Sequence, residues 1–282
     1  MTAGSPPFQR VLVGTDGSER AEEAVRQGAR LASLSGASLE VVHVLDTGRA
    51  HDEDVRREAE TILARAAELA SATGSEADAR VLAGDPADTL VAESGEEGVD
   101  LLCVGPDAGF LGGAIRIGQV AAHVIRHAPC SVLLARPAGP GFPGHVLCGV
   151  DGSEGSVETA LLAATTAAAG DGDLRLVHVI PVFRGGDSEW TLDEDEAGPP
   201  ELEPSALAAA SRGVIPVREM AMGRPEHALV AAASREETDL LVVGHRGVRG
   251  VRRVLLGSVS EYCAVHAPCS VLIARIGRGP TD

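Results

Sequence analysis

The sequence contains no lysine, because all 24 of its basic residues are arginine. This absence excludes a Walker-A lysine and any reaction that proceeds through a lysine Schiff base. A phosphate group bound by this chain must therefore be met by arginine, by backbone N–H groups or by a metal ion such as Mg²⁺.

Long apolar runs and paired cysteines are also absent. No uninterrupted apolar run approaches the roughly 18 residues of a membrane span, and the first ten residues hold no apolar signal-peptide core. The five cysteines show no CxxC spacing, which favours buried free thiols over a disulfide framework or a zinc site. These absences predict a cytoplasmic protein with no membrane partner.

Aromatic residues make up only 2% of the chain, so its core must be built from Ala, Val, Leu and Ile. The formal net charge is -17, and an acidic surface of this strength repels nucleic acid. We therefore expect no nucleic-acid partner. The length of 282 residues indicates two domains.

The chain repeats itself in order. RVLVGTDGSE at Arg10–Glu19 returns as HVLCGVDGSE at His145–Glu154, and HAPCSVLLAR at His127–Arg136 returns as HAPCSVLIAR near the end. The Pro- and Gly-rich stretch Pro137–Gly144 separates the two copies. These features predict two domains, 1–139 and 140–282.

Each copy alternates short apolar runs with Ala- and Glu-rich helical stretches. Continuous apolar runs are typical of parallel strands covered on both faces. The fold class predicted is α/β, with two tandem doubly wound, Rossmann-like domains, each a five-stranded parallel sheet with about four helices. The strands predicted in the first copy are Arg10–Gly14, Leu39–Leu45, Ala79–Leu82, Asp100–Gly105 and Ser131–Ala135.

A glycine-rich loop follows the fourth predicted strand of the second copy. Gly244-His245-Arg246-Gly247 is followed nine residues later by Gly257-Ser258, which opens a helical stretch. Glycine lets the backbone approach an anion closely, and a helix N-terminus offers free N–H groups. Ser258 can cap this helix or bond a phosphate oxygen. Four arginines lie in the loop, namely Arg246, Arg249, Arg252 and Arg253.

The pattern G-x2-G-x9-G-S resembles the ATP-binding signature of the universal stress protein family, and the resemblance covers essentially the whole chain twice. It implies an adenine nucleotide alpha-hydrolase-like fold, with ATP as the ligand. It also implies that the Asp after strand one contacts the nucleoside, and that the residue after the strand-two His meets adenine through its backbone. The second-copy residues so implied are Val150, Asp151, Val179, Gly244, His245, Arg246, Gly247, Arg253, Gly257, Ser258 and Val259.

The first copy departs from this signature. Pro106 removes one N–H donor, Asp107 adds a negative charge, Ala108 replaces the second glycine and Gln119 replaces the serine. We therefore expect ATP mainly in the second domain, although the two glycines left in the first loop can still suffice. The weaker first-domain equivalents are Thr15, Asp16, Val44, Gly105 and Gly118.

Other polar residues have simpler interpretations. His43 and His178 are expected to be satisfied strand histidines, and His127 and His266 to end helices. Cys130 and Cys269 are expected to serve packing rather than redox sensing. Asp16 and Asp151 can coordinate Mg²⁺ only together with bound phosphates.

The function favoured is an ATP-binding, nucleotide-dependent module of a stress response. The alternatives are a slow ATPase or phosphotransferase that uses the arginine-rich loop, and a nucleotide-free scaffold. No recognisable catalytic motif is present, so no catalytic residue and no resident metal ligand are assigned.

Symmetry predicts how the copies associate. Ser131–Ala135 and Ser270–Ala274 are expected to pair as edge strands in an intrachain pseudo-twofold domain pair. A homodimer of such chains stays open, and the sequence names no protein partner. The acidic segment 181–204, which carries Trp190, is interpreted as a solvated loop insertion, with a lid or docking loop as the alternative.

Overall fold

The structure, a computed structural model, describes residues 6–48, 52–106, 117–181, 201–235, 237–245 and 256–275. Within these ranges, strands and helices alternate along both copies, as the pattern predicts. The elements of the first copy are β1 (Arg10–Gly14), α1 (Glu19–Ser35), β2 (Ser38–Leu45), α2 (Glu53–Ala72), β3 (Ala77–Ala83), α3 (Pro86–Glu93), β4 (Leu101–Val104), α4 (Gln119–His127) and β5 (Ser131–Leu134).

The second copy repeats this order with one shortened helix. Its elements are β6 (His145–Val150), α5 (Glu154–Ala169), β7 (Asp173–Pro181), α6 (Glu203–Ala210), β8 (Val217–Gly223), α7 (Pro225–Arg235), β9 (Leu240–Gly244), α8 (Ser258–His266) and β10 (Ser270–Ala274). None of these described helices is long and apolar enough to cross a membrane.

The strands form a single sheet in the order β3-β2-β1-β4-β5-β10-β9-β6-β7-β8. Neighbouring strands within each copy are parallel, as in a doubly wound domain. The copies meet where β10 pairs antiparallel with β5, with Leu272 opposite Leu133. The predicted edge-strand pairing of the two copies is thereby confirmed.

Both faces of the sheet carry a core that runs through both copies. One cluster extends from Phe8 and Leu133 to Leu272 and Leu176. The cluster on the opposite face extends from Leu12 through Leu134 and Val271 to Leu241. Most of the large, fully buried side chains are leucine, so the aromatic-poor core predicted from composition is confirmed. The two copies therefore share one continuous apolar interior.

The predicted loop 181–204 is wrong at both ends, because β7 includes Pro181 and a helix includes the last two residues. Helix α6 begins at Glu203, with Pro204 in its first turn, where the missing N–H of proline leaves no hydrogen bond unmade. Residues 182–200, which include Trp190 and the acidic run, lie outside the described residues. The eight residues of α6 replace the 20 residues of α2 in the first copy.

Two arginines cross between the copies at equivalent positions. The Arg136 guanidinium donates to the carbonyls of Ala264, in the last turn of α8, and of Cys269, just beyond it. Arg275 donates to the carbonyls of Ile125 and Arg126 at the end of α4. Each cation thus meets the negative end of a helix dipole in the other copy. Burial lowers the pKa of Arg136, which is only 5% exposed.

A buried amide completes this contact on one side only. Gln27 donates to the Arg136 carbonyl at 2.6 Å, and the Ser270 hydroxyl donates to the Gln27 Oε1 at 2.8 Å. The repeat places Leu162 at the equivalent position of the second copy. The interface is therefore symmetric in its arginines and asymmetric in its side-chain network.

Replacing the crossing arginine tests how far the copies depend on each other. Arg136→Met should lower the free energy of unfolding by about 2–4 kcal/mol, because it leaves two carbonyls without their charged donor. Urea unfolding measures this loss. The control is Arg57→Met, which removes an exposed pair with Asp54 and should change stability by less than about 0.5 kcal/mol. Equal losses in the two variants would contradict the structural role of Arg136.

Candidate functional site

The turn after β1 is built by three consecutive residues. Asp16 Oδ1 accepts a hydrogen bond from the Ser18 N–H at 2.9 Å, and Gly17 has a φ of 81°. This left-handed conformation strains any residue with a Cβ atom, so the turn requires glycine. Ser18 then caps α1 by accepting from the Ala21 N–H. Asp16 is thus held, exposed, at the carboxyl-terminal edge of the sheet.

The second copy holds its equivalent aspartate more firmly. Asp151 Oδ1 accepts from both the N–H and the hydroxyl of Ser153, at 3.1 and 2.6 Å. Gly152 has a φ of 80°, and the Ser153 Oγ accepts from the Ser156 N–H to cap α5. Asp151 is half-buried whereas Asp16 is exposed. The orientation of the Asp151 carboxylate is therefore fixed more firmly than that of Asp16.

Two histidines join the first and second strands of each copy at this edge. His43 Nδ1 donates to the Thr15 carbonyl at 2.8 Å, and His178 Nδ1 donates to the Val150 carbonyl at 3.0 Å. The expectation that these are satisfied strand histidines is confirmed. The hydrogen bond from His178 to Val150 brings the backbone of Val150 close to that of Val179, the residue after His178. Both valines are almost fully buried, while Val44 in the first copy is half-buried.

The two ends of each glycine loop are joined by one backbone hydrogen bond. Gly257 donates to the His245 carbonyl at 3.0 Å, and Gly118 donates to the Pro106 carbonyl at 3.0 Å. His245 also donates from its N–H to the Ala274 carbonyl of β10. The structure therefore brings together the predicted Gly244–His245 and Gly257–Ser258 segments beside the end of β9.

Helices α4 and α8 both begin after a glycine, and like α6 they lack a capping side chain. Glycine occupies their N-cap positions, Gly118 and Gly257, and neither helix has a side-chain cap. Helices α1, α2, α3 and α5 are capped by a Ser or Asp side chain. The first-turn N–H groups of α4 and α8 are thus left to an acceptor other than a capping side chain.

The structure corrects the expected capping role of Ser258. Gly257 already occupies the extended N-cap position, with φ of -64° and ψ of 144°, so Ser258 is the first helical residue. Its exposed side chain makes no capping bond. Of its two predicted roles, only contact with a ligand is left. Val259, the next residue in the first turn, is half-buried.

Sequence reasoning missed Ser260. Its hydroxyl donates to the Gly244 carbonyl at 2.5 Å and ties the first turn of α8 to the start of the loop. The repeat-equivalent residue in the first copy is Ala121, which cannot make this bond. The serine-for-alanine difference is visible in the repeat, but its meaning depends on the direction in which this helix face points.

Gly105 has a packing reason to be glycine. A Cβ atom there would lie 2.9 Å from the carbonyl oxygen of Arg20 in the first turn of α1. No real Cβ contact is this short, so β4 approaches α1 only because the residue lacks a side chain. Packing alone therefore requires glycine here, and the ligand contact of Gly105 stays a prediction.

Several predicted site residues lie outside the described part of the chain. They are Arg246, Gly247 and Arg253 in the second copy, with Arg249 and Arg252, and Asp107 and Ala108 in the first copy. Within the described ranges, no group of three or more His, Cys, Asp and Glu side chains is arranged to hold a metal ion. A magnesium ion at Asp16 or Asp151 would depend on oxygens supplied by a ligand.

Two further histidines and the cysteines have structural roles. His127 and His266 end their helices, and each donates from Nδ1 to the carbonyl four residues earlier. All five cysteines are buried, and none of them forms a disulfide. Burial raises the pKa of Cys263 to about 12 and that of Cys269 to about 11, which suppresses the reactive thiolate.

Thiol labelling tests this assignment. In the native protein at pH 8, Ellman's reagent should label no cysteine within minutes, because all five thiols are buried and those with raised pKa values are protonated. In denaturant it should label all five. Rapid labelling of Cys130 or Cys269 in the folded protein would instead support redox sensing.

The fold and site define a class: two doubly wound α/β domains, each leading a loop into an open helix N-terminus at the carboxyl edge of a shared sheet. Comparison with known proteins agrees with this class. The protein-family model described as "Universal stress protein family" matches residues 7–136 and 144–275. The chain therefore belongs to the universal stress protein family, with two such domains in tandem.

Individual relatives show the same tandem arrangement. The chain is 29% identical to universal stress protein Rv2623 of Mycobacterium tuberculosis over 299 residues, which cover 94% of this chain and 96% of that one. A universal stress protein structure from Archaeoglobus fulgidus DSM 4304 covers 95% of this chain and 98% of its own, with a TM-score of 0.75 at 20% identity. That likeness shows the fold.

A shorter relative was solved with a nucleotide. The universal stress protein from Archaeoglobus fulgidus in complex with dAMP is 32% identical, covers 44% of this chain and 95% of its own, and has a TM-score of 0.38. The two ranges matched by the family model fall inside the predicted domains 1–139 and 140–282. The boundary between residues 139 and 140 stays a prediction.

Proposed function

We propose that this chain binds ATP in its second domain and acts as a nucleotide-dependent binding module in a stress response. The observation that carries the proposal is the open N-terminus of α8, capped by Gly257 and joined by a hydrogen bond to His245. Phosphate oxygens can accept from the first-turn N–H groups, which have no capping side chain, and the helix dipole favours their negative charge.

The neighbouring strand ends support an adenine nucleoside next to these phosphates. Two hydrogen bonds from Ser153 hold the Asp151 carboxylate in one orientation, in which it can accept from a ribose hydroxyl. β6 and β7 end side by side, with Val150 and Val179 buried on opposite faces of the sheet, and the backbone of Val179 at this edge can meet the adenine base. In open α/β sheets, ligands bind at this carboxyl edge. ATP thus has a place for its base, its sugar and its phosphates.

Differences between the copies favour the second domain. Ser258 and Ser260 supply a hydroxyl at the helix start and a tie to Gly244, where the first copy has Gln119 and Ala121. To these differences the sequence adds Arg246 in place of Asp107 and Gly247 in place of Ala108. We therefore propose strong binding at one domain per chain.

The proposal concerns binding and assigns no catalytic residue. Bound ATP would fix the start of α8, and a partner would recognise the ATP-bound form. A possible homodimer of the chain and a cytoplasmic location stay predictions of the sequence, which names no protein partner.

A titration of the full chain with a fluorescent ATP analogue tests the proposal. We expect about one site per chain at fixed salt, and the variant Gly247→Val with Ser258→Ala should lose it, because it blocks the loop and removes a phosphate donor. The matched control makes the equivalent changes in the first copy, Ala108→Val with Gln119→Ala, and should bind as the unmodified chain does. Repeating both titrations with EDTA tests the role of Mg²⁺.

Two results would overturn the proposal. Two sites of equal affinity would show that the first domain also binds ATP strongly. Undiminished binding by the second-copy variant would place the nucleotide elsewhere. Thermal unfolding of each variant without nucleotide separates a lost site from a lost fold.

A further inference from the structure

Helix α8 is held by the first copy at both of its ends. Glu261 in its first turn forms an ion pair with Arg126, which lies in the last turn of α4. At the other end, Arg136 donates to the carbonyls of Ala264 and Cys269. The helix whose N-terminus carries the proposed phosphate site is thus fixed by side chains of the other domain.

The equivalent contact on the other side of the pseudo-twofold axis carries no charge. In the repeat, Val265 is the second-copy equivalent of Arg126, and Ala122 is the first-copy equivalent of Glu261. Arg275 holds the C-terminal end of α4, but no such ion pair can reach its first turn from the Val265 position. The interface is therefore asymmetric in the same sense as the two glycine loops.

Glu261 places a negative charge close to the proposed phosphate position. It follows Ser258 by three residues, which is about 4.5 Å along the helix axis. This is well within the screening length of about 8–10 Å at physiological salt. An unneutralised Glu261 would repel phosphates and would itself occupy part of the favourable field of the helix dipole.

We infer that Arg126 of the first copy is a positioning residue for the nucleotide site of the second copy, because it neutralises Glu261 at the phosphate-binding end of α8. The inference rests on the proposed function and adds a role for the first domain. Although its own loop has lost features of a nucleotide site, that domain lends a cation to the site next to it. Arg126 acts through Glu261 and need not touch the nucleotide.

A series of ligands that differ in charge tests this role. In Arg126→Ala, we expect ATP to bind about two- to fivefold more weakly at low salt, with a smaller loss for ADP and AMP and none for adenosine. The loss should shrink as salt rises, since both side chains are about half-exposed. Calorimetric titration of the full chain measures all four ligands. A purely structural role would weaken adenosine as much as ATP.

Two further variants isolate the ion pair. Arg126→Ala combined with Glu261→Gln should bind ATP as tightly as Glu261→Gln alone, because the charge that Arg126 neutralises is gone. Arg57→Ala removes the same charge from the exposed outer face of α2, and it should leave the ATP affinity unchanged. Thermal unfolding without ligand shows that each variant is folded.

The outcomes separate this inference from the proposed function. If the unmodified chain binds ATP but Arg126→Ala matches Arg57→Ala, the inference is wrong and the proposed function stands. The same holds if ATP and adenosine lose equal affinity. If the unmodified chain binds no adenine nucleotide, the proposed function is overturned, and the role of Arg126 is overturned with it.

Discussion

The antiparallel pairing of β5 with β10 is the contact on which the rest of the structure depends. It is made by short, fully buried strands of Val, Leu and Ile, so their hydrogen bonds form away from water. Because it joins two parallel sheets edge to edge, both apolar layers continue from one copy into the other. It also sets α4 and α8 close enough for Arg126 to meet Glu261. A chain with few aromatic residues thereby gains one large core in place of two small ones.

Duplication left some contacts equal and changed others. The side chains of Arg136 and Arg275 still cross symmetrically to the ends of α8 and α4. The backbone N–H of each of these arginines also still donates to a serine hydroxyl of the other copy. Other equivalent positions have diverged, including Ser260 against Ala121 and Arg126 against Val265. The preserved contacts hold the two domains together, whereas these two changed positions bear on the start of α8. This distribution agrees with the proposal of one nucleotide-binding site, in the second domain, supported by the first.

Much of the fold was predictable because its signals are local or repeated. Apolar runs bounded by Gly and Asp predicted the strands within a few residues, and the repeat predicted that β5 and β10 would meet. The errors arose where geometry decides. Whether Ser258 or Gly257 caps α8 depends on the backbone angles of Gly257, and the start of α6 at Glu203 depends on packing of a helix that the sequence pattern does not show. For Gly105, which the family signature assigns to a ligand, only the structure shows that its close approach to the Arg20 carbonyl also requires glycine.

The sequence by itself determined the family, the doubled α/β architecture and the position of the glycine loop, since each follows from residue order and spacing. Only the tertiary structure decided which side chains surround that loop. The Ser260 hydroxyl donates to the Gly244 carbonyl. Arg126 pairs with Glu261 across the interface between the copies, although more than 130 residues separate them along the chain. Such contacts depend on helix faces brought together by the β5–β10 junction, and no periodicity within one copy encodes them.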